Sequence, residues 1–191
     1  METKTEITIV ELTPVLLNDY LAFFDQDAFV DNPHWASCYC YFNFAPHKTE
    51  DWKDRTADQN KAAVSDLIMG GRMHGYLAYA GGKPIGWCNA NLHASYTTLD
   101  ETEPHREQIG AIVCFIIAKP YRGMGVARRL LEAACAGFRD QGATLVEAYP
   151  RKNTNDPAAN YHGPLSMYLA AGFEAVKETE TLVVVRKSLK D

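Results

Sequence analysis

The run from Ala111 to Ala118 is apolar without interruption. It shows neither a helical stripe nor polar alternation, so it reads as a strand buried on both faces. Pro120 ends it, because proline cannot donate to a sheet ladder. Arg122-Gly123-Met124-Gly125-Val126-Ala127 follows and opens a helical pattern over Gly125 to Asp140. The stripe of that helix is Val126, Leu130, Leu131, Ala134 and Phe138, and Gly142 is its stop. The two glycines clear side chains from a place where something must approach the backbone. The helix points its free N–H groups and its positive dipole end at the same place. Such a turn suits an anion, most often a phosphate.

A chain of 191 residues, 47% of them hydrophobic, is long enough to bury a core as one domain spanning 1–191. Its formal net charge of -5 argues against a general nucleic-acid binder. The polar start Met1-Glu-Thr-Lys-Thr-Glu6 is unlike a signal peptide, and no apolar run is long enough for a membrane span. Five cysteines at irregular spacing do not form a disulfide framework, so a cytoplasmic location with reduced thiols is expected.

Ile7 to Leu12 reads as a strand, and Thr13-Pro14 as the cap and first turn of a helix carrying Leu16, Leu17, Leu21 and Phe24. Residues 29–47 have no clean period and are dense in aromatics, as a lid or binding loop would be. A second helix is predicted to open at Thr49 to Trp52 and to stop at Gly70-Gly71. His74 to Ala80 and Pro84 to Leu92 form a hairpin around Gly81-Gly82. His93 to Gln108 reads as loop, Ala143 to Tyr149 as a strand, and Pro150 to Asn160 as a polar loop. A short helix follows Pro164, and Phe173 to Val176 and Thr181 to Lys187 close the chain as strands.

This arrangement resembles the GNAT superfamily, the acetyl-CoA-dependent N-acyltransferases. Two motifs carry the resemblance: Arg122-x-x-Gly125-x-Ala127 after the buried strand, and Met167-Tyr168-Leu-Ala-Ala-Gly172-Phe173 near the C-terminus. It implies a mixed α/β fold, with a central, mostly antiparallel, splayed sheet and helices on both faces. It implies acetyl-CoA as co-substrate, its pyrophosphate wrapped by the amides of Arg122, Gly123, Met124, Gly125, Val126, Ala127 and Arg128. The pantetheine arm would pair with the backbone of Phe115, Ile116 and Ile117, one of whose N–H groups would polarise the thioester carbonyl. Arg129 is left to the surface.

Tyr168 matches the tyrosine that protonates the departing thiolate in this family. The central strand lacks an acid for the base role, and Glu147 is the first choice because a charge inside a strand-like run needs a reason. Glu107, His105 and His162 are the other candidates. Many members carry an asparagine where this chain has Tyr161; Asn160 or Asn155 is expected to take over that cofactor contact. Tyr161 and His162 then join Trp35 and Tyr39 as acceptor-side residues, with Tyr41 and Phe42 as further aromatic walls.

Cys38-Tyr39-Cys40 lacks the spacing of a zinc site, so no metal is expected; alternating small apolar side chains in an extended segment is the plainer reading. Cys114 and Cys88 have no neighbouring base, which favours direct transfer in a ternary complex over an acyl-enzyme. The expected acceptor is a primary amine of a small molecule or peptide, with no nucleic-acid or membrane partner; a homodimer is left open. A module that binds acyl-CoA without efficient turnover is the alternative.

Overall fold

The computed structural model describes residues 6–152 and 159–190. Strands β1 (Ile7–Glu11), β2 (Gly75–Ala80), β3 (Lys83–Leu92), β4 (Ile109–Ile117), β5 (Leu145–Ala148), β6 (Glu174–Glu178) and β7 (Val183–Ser188) form one sheet. Their order is β1-β2-β3-β4-β5-β7-β6. Every neighbouring pair is antiparallel except β4 with β5. The helices are α1 (Leu17–Gln26), α2 (Ala57–Met69), α3 (Val126–Asp140) and α4 (Leu165–Ala170).

The helices cover both faces. On one, Val126, Leu130, Leu131, Ala134 and Phe138 of α3 pack with Tyr168 of α4 against Ile112, Phe115, Val146 and Ala148. Burying each large apolar side chain gains about 2 kcal/mol, well above propensity differences of about 0.5 kcal/mol per helical residue. On the other face, Tyr20, Phe23 and Phe24 of α1 and Val64 and Ile68 of α2 pack against Leu77, Trp87, Ala111 and Val113. β4 therefore lies between two cores, as its unbroken apolar run requires.

Two helix starts differ from the sequence reading. Helix α2 begins at Ala57, because Thr56 and Gln59 form a reciprocal capping box; Thr49 to Asp54 is turn and a short 3₁₀ segment. Thr13 makes no side-chain cap bond, and a 3₁₀ turn at Pro14–Leu16 leads into α1. Residues 29–47 include two 3₁₀ turns, Pro33–Cys38 and Phe42–Phe44.

One irregularity in β4 matters for the site. Asn89 pairs with Cys114 and Ala90 with Ile112, so Val113 is an extra residue, a β-bulge. Alternation slips there by one. Ile112 and Phe115 face α3, while Val113 and Cys114 both join the α1–α2 side.

Candidate active site

β4 and β5 pair in parallel only from Ile109↔Leu145 to Ile112↔Ala148. β5 then stops, and Tyr149-Pro150 leave the sheet. β4 runs on to Ile117, paired among the described residues on one side alone, with β3. The unpaired edge of Val113 to Ile117 thus opens as a wedge beginning at the bulge. A cavity of about 600 Å³ lies against it. Val113, Cys114 and Ile116 line it from β4, Tyr149 from the end of β5, and Trp35, Cys38, Cys40 and Phe42 from the 29–47 segment. Tyr161, His162 and Arg151 complete the far wall.

Past β4 comes the glycine turn. Gly123 and Gly125 have φ of +77° and +79°, and Gly125 is the N-cap of α3. A Cβ at either would meet nothing within 4 Å, so conformation rather than space calls for glycine. No side chain caps α3, so its first N–H groups keep the capacity to hold an anion. Arg122 does not extend over this turn. Its Nε donates to the Ile117 carbonyl at 2.9 Å, and its guanidinium grips Asp31 through both terminal nitrogens. The guanidinium holds the Asp31 carboxyl below the usual range. Arg128 pairs with Glu132 along the exposed face of α3.

Among the residues expected along the cofactor arm, Phe115 and Ile117 send their side chains to the α3 core, and Ile116 lines the cavity. The backbone groups of Phe115 and Ile117 face the open edge, where the Ile117 carbonyl already accepts from Arg122, whereas those of Ile116 pair with Trp87 on β3. Asn160 sits in a 3₁₀ turn at Ala159–His162, its carbonyl accepting from the Gly163 N–H at 2.8 Å. Asn155 lies outside the described residues.

Tyr168 is 0% exposed, on the α3 side of β4, against Phe115 and Phe173. Its hydroxyl donates to the His162 carbonyl at 2.6 Å, and burial pushes its pKa well above the ordinary value. Tyr168 is not among the cavity-lining residues.

Glu147 is 3% exposed, yet fully partnered. Arg186 donates to one carboxylate oxygen and the Tyr149 hydroxyl to the other; His93 stands 3.8 Å away. Arg186 also pairs with Glu103 at 2.8 Å. Burial, with the Glu147 charge and its hydrogen bond behind it, drives Tyr149 far up. Burial also lowers His93, against the opposing Glu147 charge. Glu147 therefore reaches the cavity only through Tyr149, a residue the sequence reading left at a strand end. Pro150 directly after it was the available sign that β5 stops there.

Three acceptor-side candidates gather on one wall. Trp35 packs edge-on against Tyr161 at 5.7 Å, and Tyr161 lies 4.1 Å from the His162 ring. Burial lowers His162 to about 4, partly opposed by a hydrogen bond to the Val113 backbone, and its Nδ1 has no partner among the described residues. Tyr39 departs from the expectation. Its ring packs on Phe24 and its hydroxyl donates to Asp25 at 2.6 Å, so it anchors the segment from behind. The Cys38–Cys40 segment is not extended either: Tyr39 and Cys40 have φ of 43° and 56°, and both cysteines face the cavity. Among the described residues, no group of three or more His, Cys, Asp or Glu side chains is placed to hold a metal, and no helix is long and apolar enough to cross a membrane.

A family model described as the acetyltransferase (GNAT) family matches residues 32–165. No curated protein matches the sequence. Among solved structures, the chain is similar to an N-acetyltransferase from Staphylococcus aureus Mu50, at 14% identity and a TM-score of 0.60, covering 97% of this chain and 100% of that one. It is similar to the PaiA N-acetyltransferase of Thermoplasma acidophilum in complex with coenzyme A, at 12% identity and a TM-score of 0.58, covering 96% and 99%. It is also similar to yncA from Salmonella typhimurium with its cofactor acetyl-CoA, at 13% identity and a TM-score of 0.56, covering 97% and 95%. At these identities the likeness concerns the fold. The family match spans the open strand edge, the glycine turn and α3, and on it the chain belongs to the acetyltransferase (GNAT) family and is an acyltransferase.

Proposed function

We propose that the protein transfers an acetyl group from acetyl-CoA to a primary amine of a small molecule or peptide, by direct attack in a ternary complex. The observation that carries this reading is the half-paired β4, its free edge running from the bulge at Val113 to the uncapped start of α3. The backbone of Phe115 and the N–H of Ile117 offer an extended thioester arm the hydrogen bonds that a sheet neighbour would, while Ile116 is held by Trp87 of β3. The amides of Gly123 to Arg128 offer its phosphates an anion seat. A backbone N–H on the edge stabilises the negative charge that grows on the carbonyl oxygen.

The amine enters from the aromatic side, between Trp35, Tyr161 and Tyr149. Its proton leaves through the Tyr149 hydroxyl toward Glu147, the buried carboxylate behind it. Tyr168 supplies a proton to the departing thiolate, for which its hydroxyl must leave the His162 carbonyl. CoA-thiol release over a panel of amines tests the reading. Acetyl-CoA binding without release for any amine would favour a second reading, an acyl-CoA-binding module. That reading draws on Glu147 and Tyr168 both being engaged in internal hydrogen bonds.

A further inference from the structure

The direct-transfer reading gives the thiols of the cavity no work, although the structure has built a setting around one of them. Cys38, Cys40 and Cys114 all line the cavity, and Cys40 is 3% exposed. Asn89, a buried polar residue inside β3, turns its amide nitrogen to Cys40, with Nδ2 3.3 Å from the carbonyl and 3.2 Å from Sγ. The orientation of that amide is forced, since the Cys40 carbonyl can only accept, and Tyr96 donates to Asn89 Oδ1 at 2.7 Å from the other side. Trp87 beside it is 0% exposed, and its Nε1 has no hydrogen-bond partner among the described residues. The Cys114 thiol lines the same cavity from β4.

Burial alone would push the Cys40 thiol up, but the Cys114, Asn89 and Trp87 side chains around it together bring it below its ordinary value. Its neighbours go the other way. Burial and the Cys40 charge raise Cys38 to about 12, and the neighbouring Cys40, with burial, raises Cys114. One of the three is thus singled out as the thiolate. The backbone is held to suit: Tyr39 and Cys40 are both left-handed, fixed by the Tyr20 hydroxyl on the Tyr39 carbonyl at 2.7 Å and by the Tyr39 hydroxyl on Asp25. Strain of this kind persists only where surrounding structure over-determines it.

We propose that Cys40 is an S-acylation site charged by the acyl thioester bound in this cavity. The inference rests on the cavity being the acetyl-CoA site and goes beyond it. When no amine is present, the Cys40 thiolate attacks the acetyl carbonyl. A C–S bond to Cys40 forms as the C–S bond to CoA breaks. The CoA thiolate departs and takes up from water the proton that Cys40 had released. No oxidant or further reactant enters.

The test mixes the full chain with acetyl-CoA and no amine, then maps acetyl groups on peptides by mass spectrometry and titrates free CoA thiol. The expected result is a stoichiometric thioester on Cys40, released by neutral hydroxylamine and absent in Cys40→Ala. Asn89→Ala keeps the sulfur but removes the donor 3.2 Å from it, and labelling is expected to slow about tenfold, as for the loss of one hydrogen bond to a charged group. Iodoacetamide, which needs no acetyl-CoA site, is expected to alkylate Cys40 before the other four thiols. Bound acetyl-CoA with an unlabelled Cys40 would overturn the inference and leave the transferase reading standing. Failure of acetyl-CoA to bind at all would overturn both.

Discussion

Of the three side chains in the proposed proton chemistry, Tyr168 and Glu147 each have a competing structural duty. The Tyr168 hydroxyl satisfies a backbone carbonyl in the core. Removing it in Tyr168→Phe is expected to cost about 1 kcal/mol of stability. If it is also the acid, kcat falls about 100-fold with KM for acetyl-CoA unchanged. A variant less stable by that amount but with wild-type kcat would confine Tyr168 to packing. Glu147 poses the same question with larger stakes, because its carboxylate balances Arg186. Breaking a buried ion pair costs about 3–5 kcal/mol, so Glu147→Gln would confound folding with catalysis. Tyr149→Phe separates them: it leaves the ion pair whole and interrupts the path to the cavity. Its kcat is expected to fall about 100-fold, measured by steady-state kinetics alongside a thermal melt.

Among the elements, β4 and the turn after it bear the most weight. Gly125→Ala places a side chain at φ near +79°, where the cost is conformational because the space is free. The expected loss is about 1 kcal/mol of stability, with an approximately tenfold weaker CoA affinity by calorimetry if the turn must rearrange. Met124→Ala, on the exposed neighbour, is expected to leave both quantities unchanged. This strand, turn and helix were legible in the sequence because each speaks through local chemistry: an unbroken apolar run, a proline stop, paired glycines and a heptad-like stripe. The bulge at Val113 was not. Inside a run where every residue is apolar, a slip of one in the pleat leaves no polar mark, so the convergence of Val113 and Cys114 on one face is visible only against β3. The start of α2 shows two local signals in competition. Thr49 to Trp52 has acids in a first turn, but only Thr56 has a glutamine three residues on to close the capping box. The Tyr149–Glu147–Arg186 chain was invisible for another reason: Arg186 is on β7, and only strand order brings it beside β5.

At the scale of the whole molecule, the 29–47 segment forms one wall of the cavity, and its strongest tie to the glycine turn is Asp31 on Arg122. Because the Asp31 carboxyl is depressed in the folded chain, it contributes stability above the unfolded carboxyl value, about 3.9. That contribution is lost as pH falls through the folded value. Both side chains remain partly exposed, so Asp31→Asn is expected to cost no more than about 1 kcal/mol at neutral pH. The difference from wild type should close as denaturation curves are taken below about pH 4.

The same clasp has a consequence in time. Arg122 is a basic residue beside the proposed anion seat, and an internal carboxylate already neutralises it. If acetyl-CoA binds here as proposed, its diphosphate meets a guanidinium that Asp31 must first release, and that release frees one end of the aromatic wall. Association is then expected to be a two-step process. In a stopped-flow trace of tryptophan fluorescence, with Trp35 as reporter, the observed rate should level off at high CoA concentration. In Asp31→Ala it should climb linearly, and in wild type the plateau should rise with added salt as the clasp weakens.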